Sequence, residues 1–167
     1  MKSNLVSIPL MLFLSVLQTA VVSRIKLING SADLILIAVA IWGVLQTGSN
    51  VWIWAIIGGL FITISSAMPP FVPIIPYVII GLLARGLHNR VWQVPLVASI
   101  LMVLIGTVIK HIFDILVLQF TGIDINFLIG MRFVTIPSVF LNFLFTIPMF
   151  VLIFDISKWI EPQVEYE

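Results

Sequence analysis

No charged residue falls between Asp33 and Arg85, a run of 51 positions. A water-soluble domain cannot keep that much apolar surface wet, so lipid is the expected solvent for most of this chain. Backbone groups in a bilayer must find internal partners, which leaves helices or a closed barrel. The runs here are continuously apolar rather than alternating, and that selects helices.

Only 15 of the 167 residues are Asp, Glu, Lys or Arg, and 61% are hydrophobic. The longest polar segment is the tail from Asp155 to Glu167, too short for a soluble core. A formal net charge of +1 with no basic patch along the sequence gives no pointer to nucleic acid. Cysteine is absent, which excludes disulfides, thiolate metal sites and cysteine nucleophiles. Lys2 precedes an uncharged run from Ser3 to Ser23, long enough to span; it reads as a retained first helix rather than a cleaved signal.

A hydrocarbon core of about 30 Å takes about 20 helical residues. The expected architecture is all-α and integral to the membrane: one compact bundle of about six helices, residues 5–23, 32–46, 51–68, 73–87, 91–120 and 135–154, with a tail over 155–167. Five spans result if helix 2 or helix 4 is re-entrant. Asp33 sits in the first turn of helix 2, where an acid suits the dipole and caps free N–H groups. Thr47-Gly48-Ser49-Asn50 breaks the pattern, and Pro69-Pro70 ends helix 3. Arg85, His88 and Arg90 mark a polar connection. The short run from Phe127 to Phe133 either lies along the interface or extends helix 6. Six spans place both termini on one side. With the N-terminus inside, Lys2, Arg85, Arg90 and Lys158 lie inside against Arg24, Lys26 and Arg132 outside, a small positive-inside excess. Trp52, Trp54, Trp92 and Trp159 fall near expected helix ends, as interface tryptophans do.

Four groups of residues are candidates for function. Lys110, His111 and Asp114 on helix 5 share one face at i,i+3 and i,i+4 spacing. They read either as a relay or partner contact, or as a self-neutralising pair near the far interface, where Lys110 can snorkel. Ala55, Gly59, Thr63 and Ala67, with Gly58 beside them, form a small-residue stripe on helix 3, either a docking face for a partner helix or a seam within the bundle. Asn142 and Thr146 on helix 6, and Gln18 and Thr19 on helix 1, can hydrogen-bond between helices. The tail could continue helix 6 with Trp159 and Ile160 toward lipid, and its glutamates could meet a basic partner. No metal, phosphate-loop or nucleophile motif stands out, so no catalytic, cofactor or metal residue is assigned.

The order of short motifs resembles the MreD family, the rod shape-determining membrane proteins of bacteria. These are Leu17-Gln18-Thr19 closing helix 1, Ala32-Asp33-Leu34-Ile35-Leu36 opening helix 2, and Ile57-Gly58-Gly59-Leu60 in helix 3. Gly81-Leu82-Leu83-Ala84-Arg85 closes helix 4, and Ile136-Pro137-Ser138-Val139-Phe140-Leu141-Asn142 opens helix 6, with Pro148 beyond. The chain departs from the family where Thr63 or Ile64 stands in place of an acid after the helix 3 glycines, and where Pro73 and Pro76 open helix 4. The resemblance implies a non-enzymatic scaffold in the inner membrane, within the cell-elongation (Rod) complex. It would bind MreC and through it MreB, RodA and a class B penicillin-binding protein. The family's fold is similar to that of the substrate-binding subunits of vitamin transporters. Substrate capture for such a transporter is therefore the rival expectation, although helix 1 offers only Ser15 and Thr19 where those subunits have an Ala-xxx-Ala docking pattern.

Overall fold

The computed structural model describes residues 2–45, 50–66, 68–69, 71–88 and 94–160. Six helices carry the fold: α1 (Lys2–Ala20), α2 (Leu34–Leu45), α3 (Val51–Ser65), α4 (Ile74–His88), α5 (Pro95–Phe120) and α6 (Phe127–Ile160). No strand occurs among the described residues; Leu27 and Gly30 form an isolated bridge. Among the described residues, three segments are long and apolar enough to cross a membrane: Leu5–Arg24, α5 and α6. The other three have 12, 15 and 15 residues. At 1.5 Å per residue they reach only about 18 to 22 Å.

The shortest helix is the central one. Every residue of α2 from Leu34 to Val44 is buried, and α1, α3, α4, α5 and α6 all pack on it. A helix apolar on all sides belongs in an interior, and five neighbours supply one. Gly58 lets α3 approach so closely that an added Cβ would lie 2.5 Å from Ile35 Cγ2. Gly43 does the same for α4, with 2.7 Å to Ala84 Cβ. Trp42 and Trp54 stack between α2 and α3, ring centroids 3.8 Å apart. Trp54 is therefore a core residue and not an interface anchor; Trp52 and Trp159 are exposed.

Local chemistry moves several expected boundaries. α5 begins at Pro95, not Val91, because proline suits the first helical position and forces Val94 into a non-helical conformation. α6 begins eight residues early, because the Asn126 side chain accepts from the Leu128 and Ile129 N–H groups and caps it. The run from Phe127 to Phe133 thus extends helix 6, through a π-helical turn at Met131–Thr135. At its far end α6 continues to Ile160, which is buried rather than turned outward. α3 stops at Ser65, and Arg85 and His88 belong to the last turn of α4. Gln46, Thr47, Gly48, Ser49, Ala67, Pro70, Arg90, Val91, Trp92 and the tail from Glu161 to Glu167 lie outside the described residues.

The entry to α2 is the unusual part of the path. After α1 a 3₁₀ turn, Val22–Arg24, leads to a two-residue hairpin in which Leu27 and Gly30 exchange N–H···O bonds of 3.1 and 2.9 Å. Pro137 has no N–H to give the carbonyl one turn before it in α6. That carbonyl, Phe133 O, accepts instead from the hairpin's Asn29 N–H at 3.3 Å. Ser31 N–H then donates to Ser138 Oγ, and Asp33 N–H to Asn142 Oδ1. Four residues of this segment thus keep pace with nine of α6, about 13.5 Å, which requires near-extended backbone. The chain enters the bundle extended, and α2 starts beside Asn142, the midpoint of α6 rather than its end.

Candidate functional site

The first N–H groups of a helix have no partners within it. At either end of a bundle water can serve them, but α2 begins at half depth. Side chains from other helices do the work there. Leu34 N–H donates to Gln18 Oε1 of α1 at 2.9 Å, and Asp33 N–H to Asn142 Oδ1 of α6 at 2.7 Å. Asp33 is the cap of its own helix, its Oδ1 accepting from Leu36 N–H at 2.9 Å. The amide of Asn142 is used on both sides: Nδ2 donates to Thr107 Oγ1 of α5 at 2.8 Å. The Thr107 hydroxyl passes its proton back to Val103 O at 2.7 Å.

The second oxygen of Asp33 carries the charge network. Oδ2 accepts from the Tyr77 hydroxyl of α4 at 2.8 Å and lies 3.6 Å from Lys110 Nζ. Lys110 donates in turn to Asp114 Oδ2 at 2.8 Å. Its ammonium lies 5.9 Å from the Tyr77 ring centroid. The side chains of Asp33, Lys110 and Asp114 are 11, 16 and 22% exposed, so the cluster is inside the bundle with Asp114 nearest its edge. Two carboxylates face one ammonium; the N-terminus of α2, worth about half a positive charge, offsets much of the remainder. The opposite end of α2 is closed as well, since His88 Nδ1 of α4 donates to Val44 O.

These contacts place the expected residues as follows. Asp33, Lys110, Asp114 and Asn142 meet in one network, which joins the expected Lys110–Asp114 pair of helix 5 to Asp33 and Asn142, separate features of helices 2 and 6 in the sequence. Lys110 does not snorkel outward: it is the sixteenth residue of a 26-residue helix and points into the bundle. His111 lies on the same helix, but its buried Nδ1 has no hydrogen-bond partner among the described residues. Ala55, Gly58 and Gly59 sit in internal seams: Ala55 beside Gly81, Gly58 against Ile35 and Met11, and Gly59 against the backbone of Ile74. The Thr63 hydroxyl donates back to Gly59 O at 2.9 Å. Ala67, the last of that stripe, lies outside the described residues.

Tyr77 and Thr107 were missed. Tyr77 is one hydroxyl among several in the uncharged run, directly after Pro76, with no charged neighbour in sequence. Thr107 carried a usable signal, since it stands one turn before Lys110 on the face that faces α6. Compared with protein-family models, curated proteins and solved structures, the chain matches none.

Proposed function

We propose that this chain is an integral membrane bundle of the bacterial cytoplasmic membrane, both termini inside, and a non-enzymatic scaffold subunit of the cell-elongation complex. In this reading it holds the membrane anchor of an MreC-like partner. Through that partner it helps couple an MreB-type filament to RodA and a class B penicillin-binding protein.

One observation carries the reading. The motifs behind the MreD likeness are far apart in sequence and poor in chemistry, yet each touches the same object. Gln18 accepts from Leu34, and Asp33 caps the helix that Leu34 opens. Gly58 admits Ile35, and Gly81 lies against Val39. Ser138 and Asn142 hold the entry segment, and Pro137 frees the carbonyl that docks the hairpin. Residues that must co-occur to bury one short helix form a structural signature, and that supports a likeness of architecture over a coincidence of apolar words. For the partner, the outer face offers an apolar groove of about 470 Å³ between α1 and α3, walled by Ile8, Ile57, Leu60, Phe61, Thr63, Ile64 and Phe71. Such a groove suits an apolar helix more than a polar loop.

The test is depletion with partner capture. Loss of the protein should round rod-shaped cells, and the tagged protein should retain a single-span, coiled-coil partner in mild detergent. Normal rods after clean deletion, with no second copy of the gene, defeat the proposal. A second reading, substrate capture for a transporter, is favoured by the broken entry to α2, because transporters build sites at helix starts within the bilayer. A small molecule that co-purifies and is lost in Lys110→Met would favour it over the scaffold.

A further inference from the structure

The sequence shows no basic patch, but the fold makes one. Arg24 ends the 3₁₀ turn after α1, Lys26 stands at the base of the Leu27–Gly30 hairpin, and Arg132 lies in the π turn of α6. The Asn29 N–H to Phe133 O bond joins the hairpin to that turn, so three cations from two segments distant in sequence share one end of the bundle. All three are exposed. The ion pairs among the described residues, Lys110 with Asp33 and with Asp114, use none of them. Asp124, on the loop before α6, is the acid at this end.

The surface between these cations is apolar. Ile25, Leu27 and Ile28 of the loop and Leu128 and Ile129 of α6 are exposed. Ile28 gives the strongest indication of purpose. It stands first of the two hairpin residues at φ 57°, where glycine is the ordinary choice and a β-branched side chain is strained. The glycine of this turn, Gly30, is held tight against Pro137 and Ser138 of α6, while the tip carries an isoleucine that is 64% exposed. A side chain held outward at that conformational cost points to a role outside the fold. A soluble polyanion would leave these apolar groups wet; a phospholipid satisfies both halves, phosphate on the cations and acyl chain on the isoleucines.

We propose that this end of the bundle is a binding site for an anionic phospholipid, with Arg24, Lys26 and Arg132 on its phosphate and Ile28 against its acyl chains. The proposal rests on the membrane reading above. Resistance of the chain to alkaline extraction from membranes tests that reading by itself.

For the site, the full chain is reconstituted in phosphatidylcholine nanodiscs doped with fluorescent phosphatidylglycerol, and lipid retention is compared across variants. Each cation near an anionic headgroup contributes about fivefold in affinity. The variant R24Q/K26Q/R132Q should therefore lose most of the preference for phosphatidylglycerol over phosphatidylcholine. K158Q, which removes a cation at the opposite end of α6, should keep it. Ile28→Gly should raise thermal stability by relieving the strained φ and lower lipid retention at the same time. Millimolar inorganic phosphate should not displace the lipid. No phosphatidylglycerol preference in the wild type, equal loss in K158Q, unchanged retention in Ile28→Gly, or full displacement by phosphate would each overturn the proposal.

Discussion

Asp33 is the residue on which the interior depends, because one carboxylate caps α2, receives Tyr77 and faces Lys110. Removing one partner of a buried charge network costs about 3–5 kcal/mol, since the others are left uncompensated. Asp33→Ala should therefore destabilise the protein by about 3 kcal/mol or more, read from denaturant unfolding in detergent. Lys110→Met should be similarly severe, and the D33A/K110M double variant should fall short of the summed losses by at least about 1 kcal/mol. Additive losses would mean that the 3.6 Å approach of Lys110 to Asp33 carries no energy. Asn142→Leu keeps the branched outline of the side chain but strands Asp33 N–H, so it should cost about 1–3 kcal/mol in the same assay. Half of this network could be read in advance. Lys110 and Asp114 announce themselves by a spacing of four, and Asp33 by its place before an apolar run. Their union could not, because 77 positions separate Asp33 from Lys110 and no periodicity links them.

Helix packing here turns on where glycines meet backbone and where they meet nothing. A Cβ on Gly59 would lie 2.7 Å from Ile74 Cα, and a main chain cannot step aside as a side chain can. Gly59→Ala should lower stability by about 1–3 kcal/mol. Gly86 in α4 has open space around its missing Cβ. Gly86→Ala should gain up to about 1 kcal/mol from helix propensity alone. If both substitutions behave alike in thermal unfolding, the close α3–α4 seam is wrong. The number and order of the helices follow from hydropathy, because runs of apolar residues between polar breaks dictate them. Their ends follow from local chemistry: Pro95 and the Asn126 cap are sequence signals that a span-length argument overrides. The central place of α2 has no such signal. Its unbroken apolar composition shows burial, but a span facing lipid carries the same composition.

The molecule as a whole has two ends of different character. Along α6, Phe133 and Trp159 are 26 residues apart, about 39 Å, and Lys26 lies near the first through the Asn29 bond. The absence of cysteine makes this separation measurable. Single variants Lys26→Cys and Trp159→Cys should react with an impermeant maleimide from opposite sides of sealed vesicles; labelling of both from one side would refute the six-span bundle. The half-depth start of α2 also bears on biogenesis. Its polar anchors, Ser138 and Asn142, lie more than a hundred residues downstream of the groups that they hold. While the ribosome is still making the fifth helix, Gln18 can already serve Leu34 N–H, but the Ser31 and Asp33 amides lack the partners that α6 supplies. Final closure therefore waits for the last helix to be translated. A nascent chain cut short before residue 137 should be cleared by membrane proteases, although most of its apolar residues are already present.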